Sequence, residues 1–149
     1  EYVGSVSEVD GCIGDWTDGY VGYYLAVIRS SRRGLMVAIG DSQDWMWECF
    51  DPRKIMRTKR LQNPNTALAV TATYIMYRNM LDSLKVMNHF ITEYPDGKYE
   101  IFRMKAQWKE GWEENITVIL YNDGDYIYVT KEKPKRAILE FKREVFGRK

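Results

Sequence analysis

The chain is poor in the residues on which many catalytic and metal sites depend. Its 149 residues include a single histidine, His89, and two cysteines, Cys12 and Cys49. Structural zinc sites usually combine four cysteine or histidine ligands, so this set is too small for one. No serine stands in a Gly-x-Ser-x-Gly turn, and no phosphate-binding glycine loop is present. We therefore predict no metal, no cofactor and no catalytic residue.

Long apolar runs are also missing. No stretch approaches the roughly 18 apolar residues that a membrane-spanning helix needs, and no signal peptide is visible. Two cysteines allow one disulfide at most and do not form a disulfide framework. We predict a cytoplasmic protein with reduced thiols and no membrane contact.

The charge is nearly balanced overall but uneven along the chain. A net charge of +1 argues against binding of nucleic acid through bulk charge. Residues 1–18 nevertheless carry five acids and no base, whereas residues 52–60 carry five bases and no acid. The five bases are Arg53, Lys54, Arg57, Lys59 and Arg60. Such a local excess can attract an anionic partner.

The first sixty residues are predicted to be rich in β-strand. The runs 23–28 and 35–39 are almost continuously apolar, which predicts two paired interior strands. Residues 45–50 alternate, with Trp45, Trp47 and Cys49 on one face. Asp51 and Pro52 can begin a helix, so a short basic turn through Arg57 is predicted, with a further strand as the alternative.

The spacing of apolar residues after Asn63 predicts one long helix, from Pro64 to about Tyr94. Its apolar face would consist of Leu68, Ala72, Met76, Met80, Leu84, Met87 and Ile91. A helix of this length exceeds what a small core can cover, so it would either be kinked or protrude and meet a second copy of the chain. Met76, Met80 and Met87 would form that homodimer interface, because methionine adapts well to apolar contacts. His89 would lie on the solvated polar face.

The sequence after the predicted long helix predicts a three-stranded antiparallel meander and a closing helix. The strands are 99–108, 115–122 and 125–131, and Asp123-Gly124 favours a tight turn between the last two. Pro134 begins the final helix, whose inward residues are Ala137, Ile138, Phe141 and Val145. We predict an α+β fold in one compact domain, 1–149, with a small antiparallel β-rich half (about 1–61) and a helix-meander-helix half (about 62–149).

The order helix, three strands, helix resembles the layout of double-stranded RNA-binding domains. That resemblance implies phosphate contacts from basic residues at the start of the last helix. The residues at the corresponding point here are Lys131, Lys133, Lys135 and Arg136, and the last three are the predicted phosphate contacts. The glycine-and-lysine run that usually precedes that helix is missing.

These observations favour a non-catalytic binding or regulatory protein whose ligand is a nucleic acid or a nucleotide. The residues at 53–60 and 133–136 would neutralise phosphates, and Trp45 or Trp47 would stack on bases. One alternative is an inhibitor or assembly subunit that acts by occluding another protein. A second is a small metal-dependent hydrolase that gathers Asp10, Asp15, Asp18, Asp41 and Asp44 around Mg²⁺.

Overall fold

The computed structural model describes residues 2–10, 23–30, 34–41 and 47–147. Within these ranges the chain forms eight strands and three helices. The strands are β1 (Tyr2–Asp10), β2 (Tyr23–Ser30), β3 (Gly34–Asp41), β4 (Trp47–Phe50), β5 (Leu81–Tyr94), β6 (Gly97–Trp108), β7 (Glu113–Tyr121) and β8 (Tyr126–Thr130). The helices are α1 (Pro52–Met56), α2 (Pro64–Tyr77) and α3 (Pro134–Phe146). The α+β class predicted from the sequence is confirmed.

The strands form one sheet in the order β4-β3-β2-β1-β8-β7-β6-β5. All neighbours are antiparallel except β1 and β8, which run parallel with Val9 opposite Ile127. β1 therefore joins two antiparallel sections, β2–β4 and β5–β8. The edges of the sheet are β4, with four residues, and β5, with 14.

The predicted long helix is wrong beyond Tyr77. Asn63 caps α2 as expected, since its side chain accepts a hydrogen bond from the backbone N–H of Asn65 at 2.9 Å. After Tyr77 the chain turns and continues as β5, which adds a fourth strand to the predicted meander.

A β-bulge in β5 explains why this strand has helical spacing. Val86 lies opposite Met104 and Asn88 lies opposite Arg103, so Met87 is an extra residue in the ladder. In a regular strand, residues seven apart would point to opposite faces. The bulge shifts the alternation, and Leu84 and Ile91 share a face. A seven-residue separation is also two helical turns, so the sequence pattern does not distinguish the two structures.

Helices α2 and α3 cover opposite faces of the sheet. The Asn65 side chain of α2 donates to Glu100 at 2.7 Å, whereas Phe141 of α3 packs edge-on against the ring of Tyr99. Glu100 and Tyr99 are consecutive in β6, and consecutive strand residues point to opposite faces. We name these the α2 face and the α3 face. Of the inward positions predicted for α3, Ala137 and Phe141 are fully buried, and Ile138 and Val145 are partly buried against the core.

Candidate nucleic-acid interface

The first basic segment is organised by a capped turn. Asp51 caps α1, accepting hydrogen bonds from the backbone N–H of Arg53 at 3.1 Å and from its guanidinium at 2.9 Å. Burial raises the pKa of Asp51, but the hydrogen bonds from Arg53 and the charges of Arg53 and Lys54 outweigh it. The pKa therefore lies below the usual carboxyl value, and Asp51 is ionised at neutral pH. α1 ends at Arg57, which has a left-handed backbone with φ of 54°.

The residues around α1 form an open depression of about 380 Å³. It is lined by Asp51, Arg53, Lys54, Arg57, Thr58 and Lys59. Asp51 neutralises Arg53, and Asp82 of β5 pairs with Arg57 at 2.7 Å. Lys54 and Lys59 are exposed, and neither forms an ion pair with any residue that the structure describes. This depression therefore has a positive excess.

A second depression, of about 360 Å³, adjoins the first and shares Arg57 with it. Its lining also includes Met56, Ser83, Leu84, Lys85, Lys105, Gln107 and Glu113. Lys85 and Lys105 are direct cross-strand partners of β5 and β6, so their ammonium groups leave the sheet on the same side. Glu113 lies 3.9 Å from Lys105 and offsets part of this charge. We name the two depressions together the basic strip.

The second basic segment lies on the same face of the sheet as Lys85 and Lys105. Lys133, Lys135 and Arg136 are exposed at the start of α3. Arg103 of β6 donates to the carbonyl of Glu132 at 3.2 Å and to the hydroxyl of Thr117 at 2.6 Å. Arg103 is two residues from Lys105 on the same strand, a separation of about 7 Å. Arg103 therefore lies between the basic strip and the start of α3.

The other members of the predicted site are less well placed. Arg60 is exposed beside Thr58, outside both depressions. Trp45 and the side chain of Trp47 lie outside the described residues, so the predicted stacking rings keep the status of a prediction. Asp15, Asp18 and Asp44 also lie outside the described residues, as do the side chains of Asp10 and Asp41. Among described residues, no three acidic, histidine or cysteine side chains gather as a metal site would require.

An exposed tryptophan that the sequence reasoning missed is Trp112, in the turn between β6 and β7. Half of its surface is accessible, at 51%, and its ring leans on Trp108 at 5.7 Å between ring centres. It immediately precedes Glu113 of the basic strip. Its position after Gly111 could have indicated in the sequence that Trp112 is exposed, since a large ring in a glycine-containing turn has little core to enter.

The predicted methionine interface is not a helical face. Met76 belongs to α2 and packs partly against the core, while Met80 lies in the turn after α2. Met87 is the bulged residue of β5. Since the three methionines belong to different elements, a dimer through one long helix is excluded.

His89 was expected on a solvated helix and lies instead on β5, against a buried carboxylate. Its Nε2 lies 2.6 Å from Glu100, whose side chain is 4% exposed, and its ring stacks on Phe102 with 4.2 Å between centres. Asn65 donates to the other oxygen of Glu100. The arrangement satisfies a carboxylate that the core would otherwise reject.

Replacing His89 with alanine should lower the free energy of unfolding by about 1–3 kcal/mol, because one oxygen of Glu100 loses its partner. Urea denaturation measures this loss, and Lys85→Ala on the same strand is the control for an exposed site. Adding Glu100→Gln to the His89→Ala chain should recover part of the loss. An equally stable His89→Ala protein would show that the pair contributes nothing.

None of the described helices combines the length and apolar character needed to cross a membrane. Comparison of the chain with protein-family models, with curated protein sequences and with solved structures finds no match.

Proposed function

We propose that the protein is a non-catalytic nucleic-acid-binding protein that holds a sugar-phosphate backbone along the basic strip. The observation that carries this proposal is the continuity of the two depressions through Arg57. Their linings contain six basic side chains, Arg53, Lys54, Arg57, Lys59, Lys85 and Lys105, and two acidic ones, Asp51 and Glu113. A chain with a net charge of only +1 thus concentrates positive charge on one surface.

The shape of the strip favours a polymer over a single nucleotide. Nucleotide and cofactor sites are usually enclosed clefts that bury most of the ligand. The first depression is open and the second is half-enclosed, and Arg103 continues the cationic surface toward Lys133, Lys135 and Arg136 of α3. A linear series of cations suits successive phosphates along one strand.

Such contacts position a nucleic acid without reading its sequence. The lysines and arginines of the strip recognise charge. No described element is shaped to enter a groove of a nucleic acid and read its bases. We therefore expect weak sequence preference. Trp112 is exposed, but its ring contacts Trp108, which points to the α2 face of β6, opposite Lys105, so we assign it no stacking role. The proposal places the protein inside the cell, which suits the exposed free thiol of Cys49.

Fluorescence anisotropy with mixed-sequence single-stranded DNA, duplex DNA and RNA tests the proposal across a salt series. The logarithm of the binding constant should fall linearly with the logarithm of salt concentration. The double variant Lys54→Gln/Lys59→Gln should reduce the steepness of that line by about 1.4 to 1.8, since each phosphate contact contributes about 0.7 to 0.9.

The matched control is Arg143→Gln. Arg143 is an exposed base in the last turn of α3, whose end packs against Tyr121 and is remote from Lys105. It should leave the slope unchanged. Absence of binding to all three probes at low salt would refute the proposal, as would an equal loss in Arg143→Gln and in the lysine double variant.

A further inference from the structure

We propose that two copies of this chain pair antiparallel through strand β5, around a two-fold axis at Ile91, to form one continuous sheet. This contact is separate from the basic strip and does not depend on the proposed function. It replaces the helical dimer that the sequence pattern had predicted.

The starting observation is that β5 is a long edge strand. It has 14 residues, pairs with β6 on one side and has no described strand on the other. The outer side of an edge strand presents backbone N–H and C=O groups that can extend a sheet. The opposite edge, β4, has four residues and offers a much shorter ladder.

In the part of the chain that the structure describes, the second half of β5 lacks the features that usually protect an edge strand from pairing with another chain. Such features are proline, lysine, a bulge or a covering element. The bulge at Met87 and the covering residues of α1, with Arg57 bound to Asp82, all precede Asn88. From Asn88 to Tyr94 the register with β6 is uninterrupted, and the segment contains no proline, glycine or lysine.

This half of β5 also exposes large apolar side chains. Phe90 is 38% exposed, Ile91 52% and Tyr94 41%, and the bulged Met87 is 50% exposed. Their burial against a second strand would remove apolar surface from water. A regular, exposed and apolar edge is the arrangement in which strand addition is most favourable.

The stretch from Asn88 to Tyr94 is complementary to itself. We therefore infer that the strand added to this edge is β5 of a second copy of the chain. When two copies of β5 pair around a two-fold axis perpendicular to the sheet, the numbers of any two opposed residues add up to the same even number. Opposed side chains then point to the same face of the joined sheet. Centred on Ile91, the pairing covers the whole regular stretch from Asn88 to Tyr94. Ile91 then meets its own copy, and Phe90 lies beside the partner's Thr92.

Charge and polarity match in the same register. His89 lies opposite the partner's Glu93, and Asn88 lies opposite the partner's Tyr94. Opposed groups in antiparallel strands contact each other directly, so an imidazole opposite a carboxylate is favourable, because a ring N–H can donate to it, whereas two equal charges are not. Centring on His89 would bring the bulge into the ladder, and centring on Thr92 would place Ile91 against the partner's Glu93. Ile91 is therefore the preferred centre.

The perpendicular axis also turns both α3 faces the same way. If the proposed function holds, one nucleic acid would meet two basic strips on a single side of the dimer, a consequence that rests on that function. The dimer itself is tested without nucleic acid.

Sedimentation velocity over a range of protein concentrations tests the pairing. The unmodified chain should sediment with twice the mass of one chain, and Ile91→Lys should sediment as a monomer, because it places two ammonium groups at the axis. Met80→Lys is the matched control, since Met80 is 52% exposed, like Ile91, and lies in the turn before β5, eleven residues from the axis. It should remain dimeric. A monomeric unmodified chain would overturn the proposal, as would a dimeric Ile91→Lys protein with native circular dichroism.

Cross-linking tests the register itself. Ile91→Cys, in a chain with Cys12→Ser and Cys49→Ser, should form a disulfide with its own copy under mild oxidation. Met80→Cys in the same background should not. Equal cross-linking of both variants, or none at Ile91→Cys, would overturn the two-fold centre. These readouts need only a folded chain, so they also decide the matter if Ile91→Lys proves unstable.

Discussion

Replacing Phe141 with alanine should lower the free energy of unfolding by about 3–5 kcal/mol, the range typical of a buried phenylalanine. Phe141 is fully buried and is the point at which α3 attaches to the sheet. Its ring lies within aromatic contact distance of Tyr99, Tyr121, Tyr126, Tyr128 and Phe146. Truncation removes these contacts and leaves a cavity among rings that cannot easily close it.

Chemical denaturation measures this effect, with Leu139→Ala as the control on the exposed side of the same helix. The control should change stability by less than about 0.5 kcal/mol. Under the proposed function, Phe141→Ala should also weaken binding of nucleic acid, because α3 carries Lys133, Lys135 and Arg136 at its start. A stability loss similar to that of Leu139→Ala would mean that α3 does not depend on this attachment.

Replacing Gly97 with alanine should also lower the free energy of unfolding strongly, for two reasons that can be measured separately. The backbone φ of Gly97 is +153°, a value that residues with a Cβ rarely adopt. An added Cβ would also lie 2.5 Å from Cε1 and 2.6 Å from the hydroxyl oxygen of Tyr121. Tyr121 cannot retreat freely, since its hydroxyl donates to the carbonyl of Asp96 and its ring packs against Tyr99.

Gly111→Ala supplies a control with the backbone penalty alone. Its φ is +106°, and an added Cβ would meet no atom within 4 Å. We expect Gly97→Ala to lose about 1–3 kcal/mol more than Gly111→Ala, the usual cost of forcing extra volume into a packed site. Thermal or urea unfolding of the two proteins gives this difference directly. Equal losses of unfolding free energy in the two proteins would show that the ring of Tyr121 moves aside without destabilising the fold.

Several elements were predictable because their signals are local. Asn63 and Pro64 at the start of α2, the turn before β8 and the apolar positions of α3 follow from capping, positive φ and helical spacing. The α+β class follows from such local signals. The basic segment 53–60 was also visible as an uninterrupted run of one charge sign.

The boundary between α2 and β5 was not predictable from the same kind of signal. Residues 67–73 of α2 are all buried, so this helix has no polar face to mark it as amphipathic. The bulge at Met87 then gives β5 a helical spacing. Burial on all sides and an extra residue in a ladder depend on neighbouring strands, which a local pattern does not contain.

The candidate site also has features that the sequence predicts and features that it does not. The sequence by itself determined that the chain has clustered bases, few metal-binding residues and enough apolar surface for a core, because these are properties of composition and spacing. Only the tertiary structure decided which bases are neutralised by Asp51 and Asp82, that Arg57 joins two depressions, and that β5 is an edge. The physical reason is that strand register brings together residues far apart in the chain, as it does with His89 and Glu100.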